Sequence, residues 1–93
     1  MTHFDIPKSK VGYICATDKA LSRWGLSEGR YNRFIFPCNS LEDVQAVIEN
    51  CHSRPEFIRV IHCLTKPKLN NWLNFYQVKT KEDYPNFYKP GYF

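Results

Sequence analysis

Basic side chains interleaved with aromatic rings are the residues of this chain with the clearest chemical potential. Arg33 and Arg59 fall on predicted strands beside Tyr31 and Phe57. Rings stack on nucleobases and cations bind phosphates, so this combination favours a surface for a phosphate-bearing ligand, with single-stranded nucleic acid as the leading candidate. The predicted ligand-binding residues are Tyr31, Arg33, Phe57, Arg59, Lys66, Lys68, Tyr76, Lys79 and Lys81.

The same pattern also has a purely structural explanation. The rings would then pack beneath the C-terminal segment, and the aliphatic stems of Arg33 and Arg59 would cover them. The sequence has neither the aromatic signature of RRM domains nor a Gly-x-x-Gly clamp, so the indication of nucleic acid is generic.

The last thirty residues contain an unusual density of rings. A chain of 93 residues cannot bury all of them, and exposed rings beside basic residues are typical of interface anchors. This indicates an alternative function as a protein–protein interaction module, which either inhibits a host or defence protein or forms a homodimer that buries the same face. The anchors would be Trp72, Phe75, Tyr84, Phe87, Tyr88, Tyr92 and Phe93.

Catalytic and metal-binding patterns are weak. The pair His62-Cys63 lacks the spacing of zinc ligands, and adjacent residues of a strand point to opposite faces. Glu42 and Asp43 are explained by helix capping, and the glycines are too scattered for a phosphate-cradling loop. We therefore expect no metal, no cofactor and no enzymatic activity.

Length and composition predict a single domain over residues 1–93. Thirteen Lys and Arg against nine Asp and Glu give a net charge of +4, which favours a phosphate-bearing or acidic partner. The chain contains no run of about 18 apolar residues and no signal-peptide pattern, so no membrane partner is expected. The cysteines lie in apolar segments, and we interpret Cys15, Cys38, Cys51 and Cys63 as reduced, mostly buried thiols of a cytoplasmic protein.

Hydrophobic periodicity predicts an α+β fold, with a small mixed β-sheet of about four strands and one main helix packed on one face. The predicted order is strand, short helix, strand, main helix, strand, strand, and then an aromatic C-terminal tail. The strands cover residues 10–17, 30–38, 57–65 and 72–79, the helices 19–24 and 41–52, a loose lead-in 1–9 and the tail 84–93.

The main helix has the strongest local signals. Ser40 followed by Asp43 forms a capping-box pattern, and Pro55 stops the helix. A helix of this length is typical of a crossover, so the second and third strands are predicted to be parallel neighbours or nearly so. The predicted apolar stripe consists of Leu41, Val44, Ile48 and Cys51, with Val47 at its edge.

One helix covers only one face of a sheet. The other face is predicted to carry Tyr31, Arg33, Phe57, Arg59 and Ile61, together with Tyr76. This set is too apolar for bare solvent and too charged for a core, so the short helix and tail, a second copy or a ligand would cover it.

Several segments resemble small uncharacterised proteins encoded by tailed bacteriophages, over residues 11–93. The resemblance implies a phage gene product that acts in a bacterial cytoplasm, and it implies no activity and no site residues. It is carried by Asp18, Leu21-Ser22-x-Trp24-Gly25, Glu28-Gly29, Cys38, Asn50, Arg54, Arg59-Val60, Lys66-Pro67 and the run from Tyr76 to Asp83 followed by Tyr84-Pro85-x-Phe87-Tyr88.

Overall fold

A computed structural model describes residues 6–21, 31–67 and 74–92 of the chain. The described residues form a four-stranded mixed sheet and one main helix, as the sequence predicts. The elements are strand β1 (Gly12–Leu21), strand β2 (Tyr31–Cys38), helix α1 (Leu41–His52), strand β3 (Phe57–Cys63), strand β4 (Asn74–Val78) and a 3₁₀ helix (Pro85–Tyr88).

The strand order across the sheet is β3-β1-β2-β4. β1 is antiparallel to both β2 and β3, whereas β2 and β4 are parallel. The prediction that β2 and β3 are neighbours is therefore wrong, although they run in the same direction on either side of β1. Consecutive residues of β1 from Tyr13 to Thr17 are all buried, which is the pattern of a central strand covered on both faces.

The predicted short helix over residues 19–24 is also wrong where the structure describes it. β1 continues to Leu21, and Leu21 pairs with Tyr31 of β2. Asp18 is a residue type typical of a helix N-cap, but the hydrogen bonds of the sheet override that local preference. Residues 22–24 lie outside the described residues.

Helix α1 has the predicted bounds and the predicted cap. The Ser40 hydroxyl accepts a hydrogen bond from the Asp43 amide at 3.1 Å, and the Asp43 carboxylate accepts one from the Asn39 amide at 3.2 Å. These bonds satisfy amide donors that a helix start leaves unpaired.

The buried stripe of α1 differs from the predicted one. Leu41 is 71% exposed, and Val47, placed at the edge of the stripe by the sequence, is fully buried. Val44, Val47 and Cys51 pack against β1 and β2 through Ile14 and Phe36. The stripe is thus rotated toward positions 43, 47 and 50.

The opposite face of the sheet is buried near its centre. Tyr13, Cys15, Ile35 and Tyr76 form a second apolar cluster, and Ile6 packs against it. The N-terminal residues 6–9 are therefore not loose as predicted, while residues 1–5 lie outside the described residues.

The C-terminal segment is docked on the helix side. Asn50 of α1 is fully buried, and its amide nitrogen donates to the carbonyls of Phe87 and Lys89 at 2.9 Å each and to that of Asn86 at 3.4 Å. The buried Tyr88 ring joins the core cluster of α1. One asparagine therefore fixes the backbone of the segment that the sequence predicts as an aromatic tail.

Candidate functional site

A cavity of about 240 Å³ lies beside the start of β3, between the sheet and the C-terminal segment. It combines the two features that the sequence places together, aromatic rings and basic side chains. We call it the aromatic cleft, and its lining residues are Asp18, Phe34, Arg54, Glu56, Phe57, Lys79 and Phe87.

Lys79 is the central cation of the aromatic cleft. Its ammonium nitrogen lies 3.9 Å from the centre of the Tyr84 ring and 5.0 Å from that of Phe34. Burial lowers the pKa of this ammonium, and the nearby Arg54 charge lowers it further. No carboxylate lies within ion-pair distance of Lys79 in the part of the chain that the structure describes. A half-buried ammonium held by ring faces gains an electrostatic partner if an anion enters.

Arg54 supplies the second cation. Its guanidinium carbon lies 5.9 Å from the Phe57 ring centre and 5.7 Å from that of Phe87. Its Nε donates to the Glu56 carboxylate at 2.5 Å. Arg54 directly follows the C-terminal turn of α1, where its amide donates to the Cys51 carbonyl at 3.1 Å. The end of the helix therefore presents a guanidinium whose position is fixed by two rings and one carboxylate.

The backbone around Lys79 is fixed from both sides. The Lys79 amide donates to the Ile35 carbonyl at 2.8 Å, and the Lys79 carbonyl accepts from the Tyr88 hydroxyl at 2.8 Å. Just beyond, the Tyr84 amide donates to the Thr80 carbonyl at 2.8 Å, which folds the chain back over the lysine. Lys79 thus lies on rigid elements although it follows the last residue of β4.

Phe57 lies on the helix face and not on the opposite face as predicted. Its ring centre is 5.5 Å from that of Phe34, and it packs against the core of α1. The cause is an irregularity in the β1–β3 pairing, where Thr17 pairs with Arg59 but Asp18 pairs with Phe57. The extra residue, Ile58, shifts the alternation of faces by one position.

Arg33 and Arg59 do lie together on the sheet face opposite α1, as predicted. Arg33 of β2 and Arg59 of β3 both pair with Thr17 of β1, which lies between them. The Arg33 guanidinium carbon lies 5.5 Å from the centre of the Tyr76 ring, and Arg59 is exposed. Tyr76 is only 6% exposed, so its ring is not available for stacking on a base as predicted. Tyr31 pairs with Asn74 through the backbone.

The remaining predicted lysines are dispersed. Lys66 is exposed beside a groove that also contains Lys8 and Tyr13. The Lys81 ammonium forms an ion pair with the buried Asp43 carboxylate at 3.1 Å, so its charge is already paired within the chain. Lys68 lies outside the described residues.

The predicted protein–protein anchors have different positions. Tyr84 and Tyr92 are 41% and 52% exposed, whereas Tyr88 is 5% exposed and donates to the Pro37 carbonyl at 3.0 Å. Tyr88 is therefore a core residue, and its assignment as an interface anchor is wrong. Phe87 is half-buried, with its ring centre 4.9 Å from that of Phe36. Phe75 pairs with Asn32 through the backbone of β4, and Trp72 and Phe93 lie outside the described residues.

The four cysteines are free, and three of them are buried. Burial raises the pKa of the Cys38 and Cys51 thiols to about 12 each. Burial likewise raises the pKa of Cys15, whose sulfur lies 4.0 Å from that of Cys63. Within residues 6–21, 31–67 and 74–92, no three His, Cys, Asp or Glu side chains are grouped closely enough to hold a metal ion.

Four residues that line the aromatic cleft belong to neither predicted site: Asp18, Phe34, Arg54 and Glu56. The run Arg54-Pro55-Glu56-Phe57, which places a cation, an acid and a ring around a helix stop, is the signal that indicates the proximity of Arg54, Glu56 and Phe57.

No protein-family model, curated protein or solved structure matches the chain. Across the residues described, no helix has the length and hydrophobicity needed to cross a membrane.

Proposed function

We propose that the protein is a non-enzymatic binding module whose aromatic cleft receives a phosphate group of single-stranded nucleic acid. The observation that carries the proposal is the Lys79 ammonium, half-buried at 3.9 Å from the Tyr84 ring centre and close to the Arg54 charge. Arg54 is already paired with Glu56, whereas Lys79 has no carboxylate within ion-pair distance among the described residues, so an anion that enters the cleft would pair chiefly with Lys79.

The rings around the cations suit a nucleotide chain better than a free inorganic anion. Tyr84 is 41% exposed at the edge of the cleft, where a base next to the bound phosphate can reach its ring. Stacking of a base on an aromatic side chain contributes about 1–3 kcal/mol and is largely independent of sequence. The net charge of +4 adds a general attraction for the backbone.

The cleft combines residues from both sequence predictions. Lys79 and Phe57 come from the predicted ligand set, and Tyr84 and Phe87 come from the alternative interface set. Arg33 and Arg59 lie on the other face of the sheet, so they belong to a separate surface. The proposed role in a bacteriophage and in a bacterial cytoplasm rests on the sequence resemblance, and the free thiols are consistent with a reducing compartment.

The test is a fluorescence-anisotropy titration of labelled single-stranded DNA and RNA 15-mers, at about 50 and 200 mM salt. Lys79→Met removes the central charge and retains an unbranched apolar stem. We expect an affinity loss of roughly tenfold, which corresponds to about 1.4 kcal/mol. Binding should also weaken steeply with salt because counterions are released.

Lys10→Met is the matched control, since Lys10 is exposed and its replacement lowers the net charge equally. The double variant Arg33→Ala/Arg59→Ala examines the other face. Equal losses for Lys79→Met and Lys10→Met would contradict a specific role of the cleft. A loss confined to the arginine variant would move the site to the opposite face, and no binding at low salt would refute the function.

A further inference from the structure

Two arginines flank the central strand on the sheet face that lies opposite α1. Arg33 of β2 and Arg59 of β3 both pair with Thr17 of β1, so the three residues form one row across three strands. Neighbouring strands are about 4.8 Å apart, which places the two arginine backbones roughly 10 Å from each other. Side chains of this length can bring both guanidinium groups to one small anion between them.

Arg33 has hydrogen-bonding capacity that the described part of the chain does not use. Its Nε is buried and has no hydrogen-bond partner there. Its guanidinium carbon lies 5.5 Å from the centre of the Tyr76 ring, so a ring face holds this side chain and not an acceptor. Because a buried donor without an acceptor is destabilising, an anion that accepts hydrogen bonds from this guanidinium would stabilise the site.

The positive charge of this face is not neutralised by the described residues. Their two ion pairs join Arg54 to Glu56 and Lys81 to Asp43, and neither involves Arg33 or the exposed Arg59. The described acidic residues belong to α1, to the aromatic cleft or to the C-terminal segment docked on the helix side: Asp18, Glu42, Asp43, Glu49, Glu56, Glu82 and Asp83. An anionic ligand therefore meets two cations and no described carboxylate on this face.

The charge and geometry of the row favour a phosphate monoester. Two guanidinium groups carry two positive charges, and the phosphate of a monoester carries about −1.5 to −2 at pH 7, with three strong acceptor oxygens. Guanidinium forks bind such oxygens through paired hydrogen bonds. A carboxylate or a phosphodiester supplies only one negative charge. Tyr76 is 6% exposed, so its ring positions Arg33 and does not contact a base.

We propose that Arg33 and Arg59 form a second anion site, which binds the dianionic phosphate of a phosphate monoester. Arg33, held over Tyr76, gives the site its position, and the exposed Arg59 closes over the phosphate from the other side of Thr17. The site is independent of the proposed function, because the aromatic cleft lies on the helix side of the sheet and uses other cations.

The test is NMR of the arginine Nε–Hε groups during titration with methyl phosphate, a monoester that is mainly dianionic at about pH 7. The buried Arg33 Nε is protected from exchange with water, so its resonance can be followed. This resonance should shift and saturate. Dimethyl phosphate, a monoanionic diester, is titrated at the same ionic strength and should bind severalfold more weakly, because it carries one charge less.

Replacement of each arginine locates the site. Arg59→Gln, at an exposed position, should weaken methyl phosphate binding roughly tenfold through the loss of one charge-assisted hydrogen bond. Arg33→Lys retains the charge but not the fork and should also weaken binding, measured from the Thr17 amide resonance. Lys10→Gln, which removes one exposed charge, is the matched control for Arg59→Gln. Lys10→Gln and Lys79→Met should both leave the affinity nearly unchanged.

Three results would overturn the proposal. The first is an Arg33 resonance that does not move throughout the titration. The second is equal affinity for methyl phosphate and dimethyl phosphate, because the site then does not recognise a dianion. The third is a loss of affinity in Lys79→Met or Lys10→Gln as large as that in Arg59→Gln, which would assign the phosphate to the aromatic cleft or to general attraction by the net charge.

Discussion

Replacement of Asn50 by alanine should separate the C-terminal segment from helix α1. The Asn50 amide donates two hydrogen bonds of 2.9 Å, to the carbonyls of Phe87 and Lys89, and a longer one of 3.4 Å to that of Asn86. Alanine removes the donor and leaves these acceptors without it in a partly buried region. Loss of such bonds, with acceptors left unpaired, costs about 3 kcal/mol of unfolding free energy in total.

The size of this effect is large for a domain of this length. Small domains have an unfolding free energy of about 5–15 kcal/mol, so a loss of about 3 kcal/mol is a major fraction. It corresponds to a decrease in Tm of roughly 12–24 °C. Urea denaturation followed by circular dichroism measures the free energy, and differential scanning calorimetry measures Tm.

Gln45→Ala provides the control for this prediction. Gln45 is an exposed residue of the same helix, and its replacement should change stability by less than about 0.5 kcal/mol. Because the docked segment carries Tyr84 and Phe87, Asn50→Ala should also weaken any ligand bound in the aromatic cleft. If the unfolding free energy of Asn50→Ala lies within about 0.5 kcal/mol of the wild-type value, Asn50 does not hold the C-terminal segment as described.

Two further predictions concern stability. Burial raises the pKa of Cys15, Cys38 and Cys51 from 9.0 to about 12 and also raises the pKa of Tyr88, so the unfolded chain loses these protons first and stability should fall above pH 9. Each such thiol contributes up to about −1.4 kcal/mol per pH unit between its two pKa values, partly offset near pH 10 by the lowered pKa of Lys79; urea denaturation at stepwise higher pH measures the fall, and a flat profile would contradict it. Gly12→Ala should cost at least about 2 kcal/mol, since Gly12 has φ +115° and an added Cβ would lie 2.4 Å from the Cys63 carbonyl oxygen. Gly91→Ala should cost only about 1 kcal/mol, because Gly91 has φ +68° and an added Cβ would have no atom within 4 Å. Thermal unfolding of both variants measures the difference, and equal losses of stability would refute the steric argument.

Local signals explain which parts of the fold could be predicted from the sequence. The cap residues Ser40 and Asp43 define the start of α1, and the structure reproduces its bounds. β2 was likewise predicted to within one residue of its observed start at Tyr31. The capping bonds of α1 join residues that are close in the chain, whereas β2 was predicted from its alternating sequence pattern although its pairing partners β1 and β4 are distant.

The strand order depends on contacts between distant residues, and no local pattern specifies it. A crossover helix of the length of α1 determines the direction of β3 relative to β2, but not whether another strand lies between them. The position of Phe57 depends on the pairing of Asp18 with Phe57 while Thr17 pairs with Arg59. A shift of one residue moves every side chain beyond it to the other face of the sheet. Phe57 therefore lies on the helix face, whereas Arg33 and Arg59 lie on the opposite face.

The candidate site could be predicted by residue type but not by location. Rings and lysines near the C-terminus were identified as the ligand or interface residues, and Lys79, Tyr84 and Phe87 do meet in one place. Arg54 joins them through the docking of the 3₁₀ helix on α1, which depends on the buried Asn50. A buried asparagine in a helix gives no sequence signal that identifies its acceptors.

The most direct test of the proposed function is NMR of the lysine Cε–Hε groups during titration with an unlabelled single-stranded 15-mer at constant pH. If a phosphate binds beside the Lys79 ammonium, the Lys79 resonance should show the largest shift of all lysines and should saturate with the anisotropy signal. A Lys79 resonance that does not move, while exposed lysines such as Lys10 shift and binding saturates, would contradict the assignment of the cleft as the binding site.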